Sequence, residues 1–433
     1  MLLLATQRHA ALFAGVFAIL AGYGLTSSLL SITLIERGLG GWVGGVGAAY
    51  FLGLGIGSLR AERIIAGVGY LRAYGMLTAV ASLGTLSIAL VDHPAAWATA
   101  RFVQGLALGG LFICIESWLG STTEPSSRGR VLGVYQVVIY AGLILGQGLL
   151  GPFAHDVPRA MVVATVCLCL AALPVGVIRQ EPPQLIVMPR IRLRELWGWA
   201  SVGVMGAFVS GITTGAVYTV APAAGVSAGL DDGDVGLFMS AFVGGGMLLQ
   251  LPLGRLSDAY DRRIVLGGLA ALGAAGGLVS MASLAHPGAL LAVAAFEGGC
   301  IFALYTIALA YTYDRVPPKR AVAANATLLA VFCVGSGLGS LGSSVALAVA
   351  GPAGFFAALS IPTAVLAMMS FRAARLSEPV PDAERFAALL MPRTSAAAVE
   401  LDPRVNLHIA SGVEGLDGEG VHASASRTPA AED

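Results

Sequence analysis

Two charged side chains lie inside apolar, helix-length segments of this sequence, where water could not solvate them if the segments cross a membrane. Arg101 stands near the start of the run RFVQGLALGGLFICIESW, which ends at Trp118, and Glu297 stands inside a second apolar run. An unpaired arginine at the centre of a bilayer costs at least about 2.5 to 3.5 kcal/mol, so it must face protein or water. Both residues are therefore candidate functional groups.

Glu297 suits proton binding. It lies about ten residues into its predicted helix, near the bilayer midplane, and shares a helical face with Ile301, Tyr305 and Thr312. Loss of hydration favours the neutral form of a carboxyl group, so a glutamate at this depth can bind and release a proton near neutral pH. Proton coupling is the leading hypothesis for Glu297, and a neutral, hydrogen-bonded structural carboxyl is the alternative.

Arg101 shares a helical stripe with Gln104, Gly105 and Glu116. Arg101 and Glu116 are 15 positions apart, which is roughly 22 Å along a helix, so these two charges cannot pair with each other. We interpret Arg101 as a cation that faces a cavity and attracts an anionic substrate or a nearby acid; snorkelling to the membrane interface is the alternative. We also expect Arg101 and Glu297 to line opposite walls of one cavity.

Glu116 lies near the other end of its segment, and Arg128 and Arg130 follow shortly after it. This arrangement favours a structural ion pair at the cytoplasmic rim over a binding role. Other polar side chains inside the spans could contact a substrate, although interhelical hydrogen bonds, worth about 0.6 kcal/mol on average, are their commoner use. The candidates for substrate contact are Gln104, Gln136, Tyr140 and Tyr305.

The composition is that of an integral membrane protein. Of 433 residues, 56% are hydrophobic and only 12% are charged, against roughly 25% in soluble domains. The formal net charge is zero, so no basic field favours a nucleic-acid partner. The five cysteines lie in apolar runs without ligand-like spacing, which indicates packing rather than disulfides or metal ligands. We expect no cofactor and no metal.

Twelve apolar runs are long enough to span a bilayer and fall into two sets of six. A loop rich in proline and arginine at residues 179–196 separates the first bundle, residues 1–178, from the second, residues 197–372; residues 373–433 are predicted to be a disordered cytoplasmic tail. The predicted spans are Ala10–Leu34, Trp42–Leu59, Leu71–Val91, Trp97–Leu119, Val131–Phe153, Met161–Ile178, Trp197–Ala221, Val235–Leu256, Ile264–Leu284, Gly288–Tyr311, Ala323–Ala350 and Phe355–Phe371.

Basic residues in the connecting segments predict the orientation. Omitting the distal tail, the side that carries both termini holds 18 Lys and Arg residues, and the opposite side holds only Arg37 and Arg159. The positive-inside rule therefore predicts that both termini are cytoplasmic.

The two halves of the sequence align weakly with each other. The segment Phe51–Arg63 corresponds to Leu248–Arg263, and RFVQG at Arg101–Gly105 corresponds to AAFEG at Ala294–Gly298. The two offsets, 197 and 193, agree to within a loop's length. Such internal repeats are typical of transporters built around a midplane site.

These motifs resemble the major facilitator superfamily, over Ala10 to about Arg372. GRLSDAYDRR at Gly254–Arg263 and RFVQG are similar to two of its signatures, and ESWL, RGRVLGVY and FALYTIALAYTYDRV resemble its YcaD-like branch. The resemblance implies an all-α fold of twelve transmembrane helices in two six-helix bundles that expose a central cavity alternately to each side. It also implies that Gln136 and Tyr140, on the fifth helix, line this cavity.

The loop between the second and third helices of the second half is expected to act as a gate. The resemblance gives Asp258 a charge-clamp role, with Gly254, Arg262 and Arg263 beside it. A solvated turn with orienting charges is the alternative. The first half departs from the pattern, because Ala61 occupies the position of the expected aspartate.

The sequence therefore favours a secondary active transporter of the cytoplasmic membrane. We expect a monomer in the lipid bilayer that moves a small solute, coupled to protons; efflux, metabolite export and uptake all stay open. The competing class is a sensor or enzyme on the same scaffold. All six histidines lie in loops, termini or the tail, so no catalytic constellation forms within the spans, and we expect no enzymatic activity.

Overall fold

The computed structural model describes residues 2–123, 128–176, 191–317 and 320–376, and all regular structure in these ranges is helical. The predicted tail beyond residue 376 and residues 177–190 of the central loop lie outside the described residues. The first ten long helices are α1 (Leu2–Glu36), α2 (Val43–Val68), α3 (Tyr70–Leu90), α4 (Pro94–Thr122), α5 (Arg128–Gly148), α6 (Val157–Gly176), α7 (Leu193–Ser227), α8 (Asp232–Ala259), α9 (Arg262–Ala282) and α10 (Pro287–Tyr313).

The last helical run, Ala321–Leu376, contains the remaining two spans. At about 1.5 Å per residue, 56 residues would extend roughly 84 Å, nearly three times the hydrocarbon thickness, so one straight helix cannot fit. Gly351 breaks the run with a φ of 63°, and Pro352 follows it. We number residues 321–350 as α11 and residues 352–376 as α12, which confirms the twelve predicted helices.

The helix bounds differ from the predicted ones mainly at the ends. α1 begins at Leu2 rather than Ala10, and α7 begins at Leu193, inside the segment predicted to be loop. The fifth span ends at Gly148, and a separate helical turn covers Leu150–Phe153. Charged and polar ends continue the backbone hydrogen bonding of a helix, although they fall outside its apolar stretch.

The surface of the helices suits lipid. Large aliphatic side chains are exposed along several helices, including Leu52, Leu83, Leu248 and Val349, the last at 82%. An apolar surface of this kind is costly in water and is neutral in hydrocarbon. Counting Ala323–Leu376, which contains α11 and α12, as one, ten described helical segments are long and apolar enough to cross a membrane, and α6 has a shorter apolar stretch at Val157–Leu173.

The two halves pack alike. In the first bundle α2 packs on α4, α1 on α5, and α3 on α6; in the second, α8 packs on α10, and α7 and α9 pack on the last helical run. Glycine makes the closest of these contacts. A Cβ added to Gly105 would lie 2.1 Å from the carbonyl oxygen of Tyr50, and one added to Gly298 would lie 2.1 Å from that of Phe242. The aligned glycines therefore make equivalent close helix–helix contacts in the two bundles.

The bundles contact each other closely at one end of the molecule. The end that carries the α1–α2, α3–α4 and α5–α6 connections holds Arg37 and Arg159, and we name it the arginine-poor face. Near this face, Ser31 Oγ donates a hydrogen bond to the carbonyl of Thr219 on the other bundle. A Cβ on Gly47 would lie 2.5 Å from the Thr219 Cβ. The arginine-poor face is closed by these contacts.

Candidate functional site

A central cavity lies between the two bundles. Its walls come from α1, α2, α4 and α5 of the first bundle and from α7 and α11 of the second. The lining is largely aromatic and apolar, and Gln136, Thr214 and the tyrosine hydroxyls are its polar groups. The aromatic residues of the lining are Tyr23, Tyr50, Phe51, Phe112, Tyr140, Tyr218 and Phe332.

Arg101 lies behind this wall rather than in it. Its guanidinium carbon is 4.4 Å from the centroid of the Tyr50 ring and 5.3 Å from that of Tyr23, and both rings line the cavity. The close packing of α2 on α4 through Gly105 sets this position, because it brings the backbone of Tyr50 against the helix that carries Arg101. Desolvated cation–π contacts of this type contribute about 2 kcal/mol or more.

The charge of Arg101 is not balanced by a carboxylate among the described residues. The side chain is 1% exposed; it donates one hydrogen bond to Gln104 Oε1 and a longer one, 3.4 Å, to Ser27 Oγ. Gln104 is itself held by a 2.9 Å hydrogen bond to Thr85 Oγ1. Gln104 therefore positions Arg101. These neutral partners orient the guanidinium but leave its positive charge in place.

Glu297 lies inside the second bundle, away from the cavity lining. Its Oε2 accepts a 3.1 Å hydrogen bond from Ser280 Oγ, its side chain packs on Gly276 of α9, and its Oε1 has no hydrogen-bond partner in the described part of the chain. The structure does not bring Arg101 and Glu297 together at this cavity, because neither belongs to its lining. Glu297 lies on the side of α10 that packs on α9. The second-bundle wall of the cavity comes from α7 and α11 instead.

The other predicted contact residues divide into two groups. Gln136 and Tyr140 line the cavity, and the Tyr140 hydroxyl donates a hydrogen bond across the bundle interface to Gln250 Oε1. Tyr305 lies one layer further out: its hydroxyl donates to Asn325 Oδ1 at 3.2 Å, and its ring packs edge-on against Phe332. Tyr305 therefore supports the wall.

The α8–α9 loop is tied to its own bundle. Arg262 Nε donates to Asp314 Oδ2 at 2.7 Å, and Arg262 also pairs with Asp258 at 3.2 Å. Asp314 is buried and was not among the predicted site residues, whereas Asp258 is partly exposed. The loop follows Gly254, which is buried in α8. These contacts fix the loop to the end of α10.

Asp261 and Arg263 form a second pair in the same loop. Arg263 donates to Asp261 Oδ2 through its terminal nitrogen at 2.6 Å and to the carbonyl of Ala373 at 3.0 Å. Asp261 also caps α9, accepting from the Arg263 backbone N–H. Partial burial acts to raise the pKa of Asp261, but the hydrogen bonds and charge of Arg263 outweigh it and hold that pKa below its ordinary value.

Glu116 is fully buried and accepts a 3.0 Å hydrogen bond from the Tyr135 hydroxyl on α5. The predicted ion pair with Arg128 and Arg130 falls on side chains outside the described residues. The hydrogen bond to Tyr135 gives Glu116 a structural link between α4 and α5.

Sequence reasoning missed the tyrosines that separate Arg101 from the cavity. The rings of Tyr23 and Tyr50 pack against each other at a tilt, with centroids 4.8 Å apart, and the ring of Tyr23 also meets that of Tyr218 of the second bundle edge-on at 6.2 Å. A signal was present in α1, where Tyr23, Ser27 and Ser31 recur every four residues and so form a polar stripe on one face of an otherwise apolar helix.

Comparison with known proteins agrees with this architecture. The sequence profile of the Major Facilitator Superfamily matches residues 12–189 and 203–412, so the chain belongs to this family. It is 29% identical over 337 residues to an uncharacterized MFS-type transporter of Enterobacter sp. (strain 638) and 28% identical over 335 residues to the uncharacterized MFS-type transporter YcaD of Escherichia coli O17:K52:H18 (strain UMN026 / ExPEC). Each alignment covers 76% of this chain and 86% of the relative.

In three dimensions the chain is similar to the crystal structure of a bacterial homologue of the human lysosomal transporter Spinster, in an inward-facing and unoccupied conformation. The TM-score is 0.65 at 13% sequence identity, covering 93% of this chain and 98% of that one. The YcaD-like resemblance and the fold are thus confirmed. The chain is a multi-pass membrane transporter, a class whose members are in general not enzymes.

Proposed function

We propose that the chain is a secondary transporter that carries a small amphipathic anion or zwitterion through the central cavity by alternating access. The observation that carries this proposal is the position of the cavity, whose walls come from both bundles. A rocking movement of one bundle against the other would therefore change which face the cavity opens to.

Arg101 supports the anionic class. An anion against the cavity side of the Tyr50 ring would lie about 8 Å from the guanidinium, given the 4.4 Å to the ring centroid and about 3.5 Å of van der Waals contact. At an effective dielectric constant of 20, this separation gives an attraction of about 2 kcal/mol, or roughly thirty-fold in affinity. The same charge repels a cation.

The lining supports the amphipathic character. Seven aromatic rings face the cavity beside few polar groups, so an apolar or aromatic body fits better than a sugar-like one. The cavity has a volume of about 110 Å³, below the roughly 300–1,000 Å³ of ligand pockets, so it holds a small group only in this conformation.

For the membrane and orientation, we propose the cytoplasmic membrane with both termini inside. The 18 to 2 distribution of basic residues supports this through the positive-inside rule. The closed arginine-poor face is then the external one.

Charged probes test the substrate class. Benzoate, benzamide and benzylamine share one ring and differ in charge, so their effects on the melting temperature of purified protein separate charge from size. We expect benzoate to stabilise the protein most and R101Q to lose this preference, while R101K keeps part of it. R37Q is the control, because Arg37 lies on the arginine-poor face and pairs with Asp92. Equal shifts from benzoate and benzylamine in the wild type would contradict the proposal.

We further propose that Glu297 is the proton-coupling group. A buried carboxyl that accepts one hydrogen bond and has no cation within ion-pair distance in the described ranges is most stable in its neutral form. Since α10 packs on α9 and also on α7 and α8, which contact the first bundle, ionisation of Glu297 would reach the bundle interface through a change in helix packing. Its effect on the cavity would be indirect.

The test of coupling is uptake or release driven by an imposed pH gradient in proteoliposomes. We expect E297Q to abolish the pH dependence while retaining energy-independent exchange, because glutamine mimics the protonated carboxyl. E62Q serves as the control, since Glu62 lies on α2 of the other bundle. Full pH dependence in E297Q would remove Glu297 from the coupling role.

A further inference from the structure

Three metal-ligating side chains meet on the arginine-poor face, and the proposed transport mechanism uses none of them. Glu36 is the last residue of α1, His155 lies in the connection between α5 and α6, and Asp232 is the first residue of α8. One ligand atom from each residue lies within 4.8 Å of the others, and His155 Nε2 is 3.3 Å from Asp232 Oδ2. Three distant segments of the chain thus converge on one point.

An imidazole and two carboxylates are a ligand set typical of zinc and similar divalent transition metals. Zinc–ligand bonds of about 2.0–2.2 Å place tetrahedral ligand atoms about 3.3–3.6 Å apart, so the three side chains need to approach one another by about 1 Å. Glu36 and His155 are exposed and can rotate to do so. Water can complete the fourth position.

Neighbouring charged residues are engaged elsewhere. Asp231 caps α8 by accepting from the Asp234 backbone N–H at 2.8 Å, and Asp156 pairs with Arg159 at 3.3 Å. Arg37, next to Glu36 in sequence, pairs with Asp92. These partners leave the three ligands without a competing cation in the described surroundings.

The ligands belong to different bundles. Glu36 and His155 are on the first bundle and Asp232 is on the second, and close packing holds them together: a Cβ on Gly236 of α8 would lie 2.7 Å from the carbonyl of Gln147 on α5. We infer that Glu36, His155 and Asp232 form a divalent-metal site that is complete only while the arginine-poor face is closed. A bound ion bridges the bundles and holds this face shut.

Zinc binding to the purified protein tests the site directly. We expect micromolar Zn²⁺ to raise the melting temperature of the wild type and to have a much smaller effect on H155A and D232N. H286A is the matched control, because His286 is also exposed on the same face but lies on one bundle only. Equal zinc shifts in H155A and the wild type would overturn the inference and leave adventitious binding only.

The expected inhibition of transport by zinc rests on the proposed alternating access, and exchange activity measures it separately from zinc binding. Zn²⁺ added at the arginine-poor face should inhibit exchange by the wild type several-fold and leave H155A exchange unchanged. Exchange by the wild type and by H155A in the absence of zinc tests the transport proposal by itself. If both exchange normally and zinc inhibits them equally, the metal site is refuted while transport stands.

Discussion

Gly47 offers a way to change the equilibrium between conformations with a single methyl group. Gly47 lies on α2 of the first bundle and faces Thr219 on α7 of the second, near the arginine-poor face. A Cβ at this position would lie 2.5 Å from Thr219 Cβ, 2.6 Å from Cγ2 and 2.8 Å from Oγ1. The G47A substitution therefore creates a clash in the closed state that disappears when the bundles separate.

The size of the effect follows from these contacts. The clashing atoms belong to a β-branched side chain with little rotamer freedom, so the strain cannot be relieved by rotation. Overpacking of this kind costs about 1–3 kcal/mol, which shifts the closed-to-open ratio roughly 5- to 150-fold toward the open state. The gain in helix propensity from glycine to alanine is common to both states and cancels.

Spin labels on both sides of the closed face measure this shift. Leu39, in the α1–α2 connection, and Ser227, at the end of α7, are exposed and belong to different bundles. Cysteines introduced there, in a C169S background that removes the exposed native thiol, report the separation by pulsed electron paramagnetic resonance. We expect G47A to increase the long-distance population.

The control is G45A, two residues away on the same helix. A Cβ on Gly45 meets nothing within 4 Å, so G45A changes propensity but not the interface. Identical distance distributions for G47A and G45A would refute the inference that the contact between Gly47 and Thr219 closes the arginine-poor face.

Three further predictions concern stability. G105A should lower the melting temperature clearly, because the added Cβ would lie 2.1 Å from a backbone carbonyl of α2 and overpacking costs about 1–3 kcal/mol; a wild-type melting temperature would contradict the packing described. D314N should destabilise far more than D258N, since breaking a buried pair with Arg262 costs about 3–5 kcal/mol and an exposed pair about 0.2–1 kcal/mol; the reverse order in thermal melts would count against this assignment. Asp261 has a folded-state pKa below its ordinary 3.8, so the stability that its ionised form contributes is fully present above pH 3.8 and is lost as the pH falls through the folded-state pKa. The D261N substitution should therefore flatten the fall of the melting temperature at acid pH.

The helices could be predicted from the sequence because each apolar run is bounded by charges, proline or glycine. The pattern predicts the number and order of the spans, and a glycine-rich run such as Gly335–Gly342 is typical of a close-packing helix surface. A Cβ on Gly335 or Gly339 would indeed lie 2.3 Å or 2.1 Å from a carbonyl of α7. Helix ends were less accurate, because hydropathy marks the membrane-embedded stretch and hydrogen bonding continues beyond it.

The site was predicted in part. Gln136 and Tyr140 line the cavity, but a helical wheel gives only the direction of a side chain relative to its own helix. It could not show that Tyr23 and Tyr50 would stand between Arg101 and the cavity, nor that Glu297 would face α9. Those outcomes depend on how neighbouring helices rotate and how closely their glycines let them approach, which a single-helix pattern does not contain.

The central claim is that solute crosses through the inter-bundle cavity under the charge of Arg101, and exchange in proteoliposomes tests it most directly. Vesicles preloaded with unlabelled benzoate should take up radiolabelled benzoate transiently above equilibrium, without an energy source. We predict this overshoot for the wild type and R37Q, and a loss of about thirty-fold in apparent affinity for R101Q, from the 2 kcal/mol attraction. Equal exchange by R101Q and the wild type, or no exchange by either, would contradict the account.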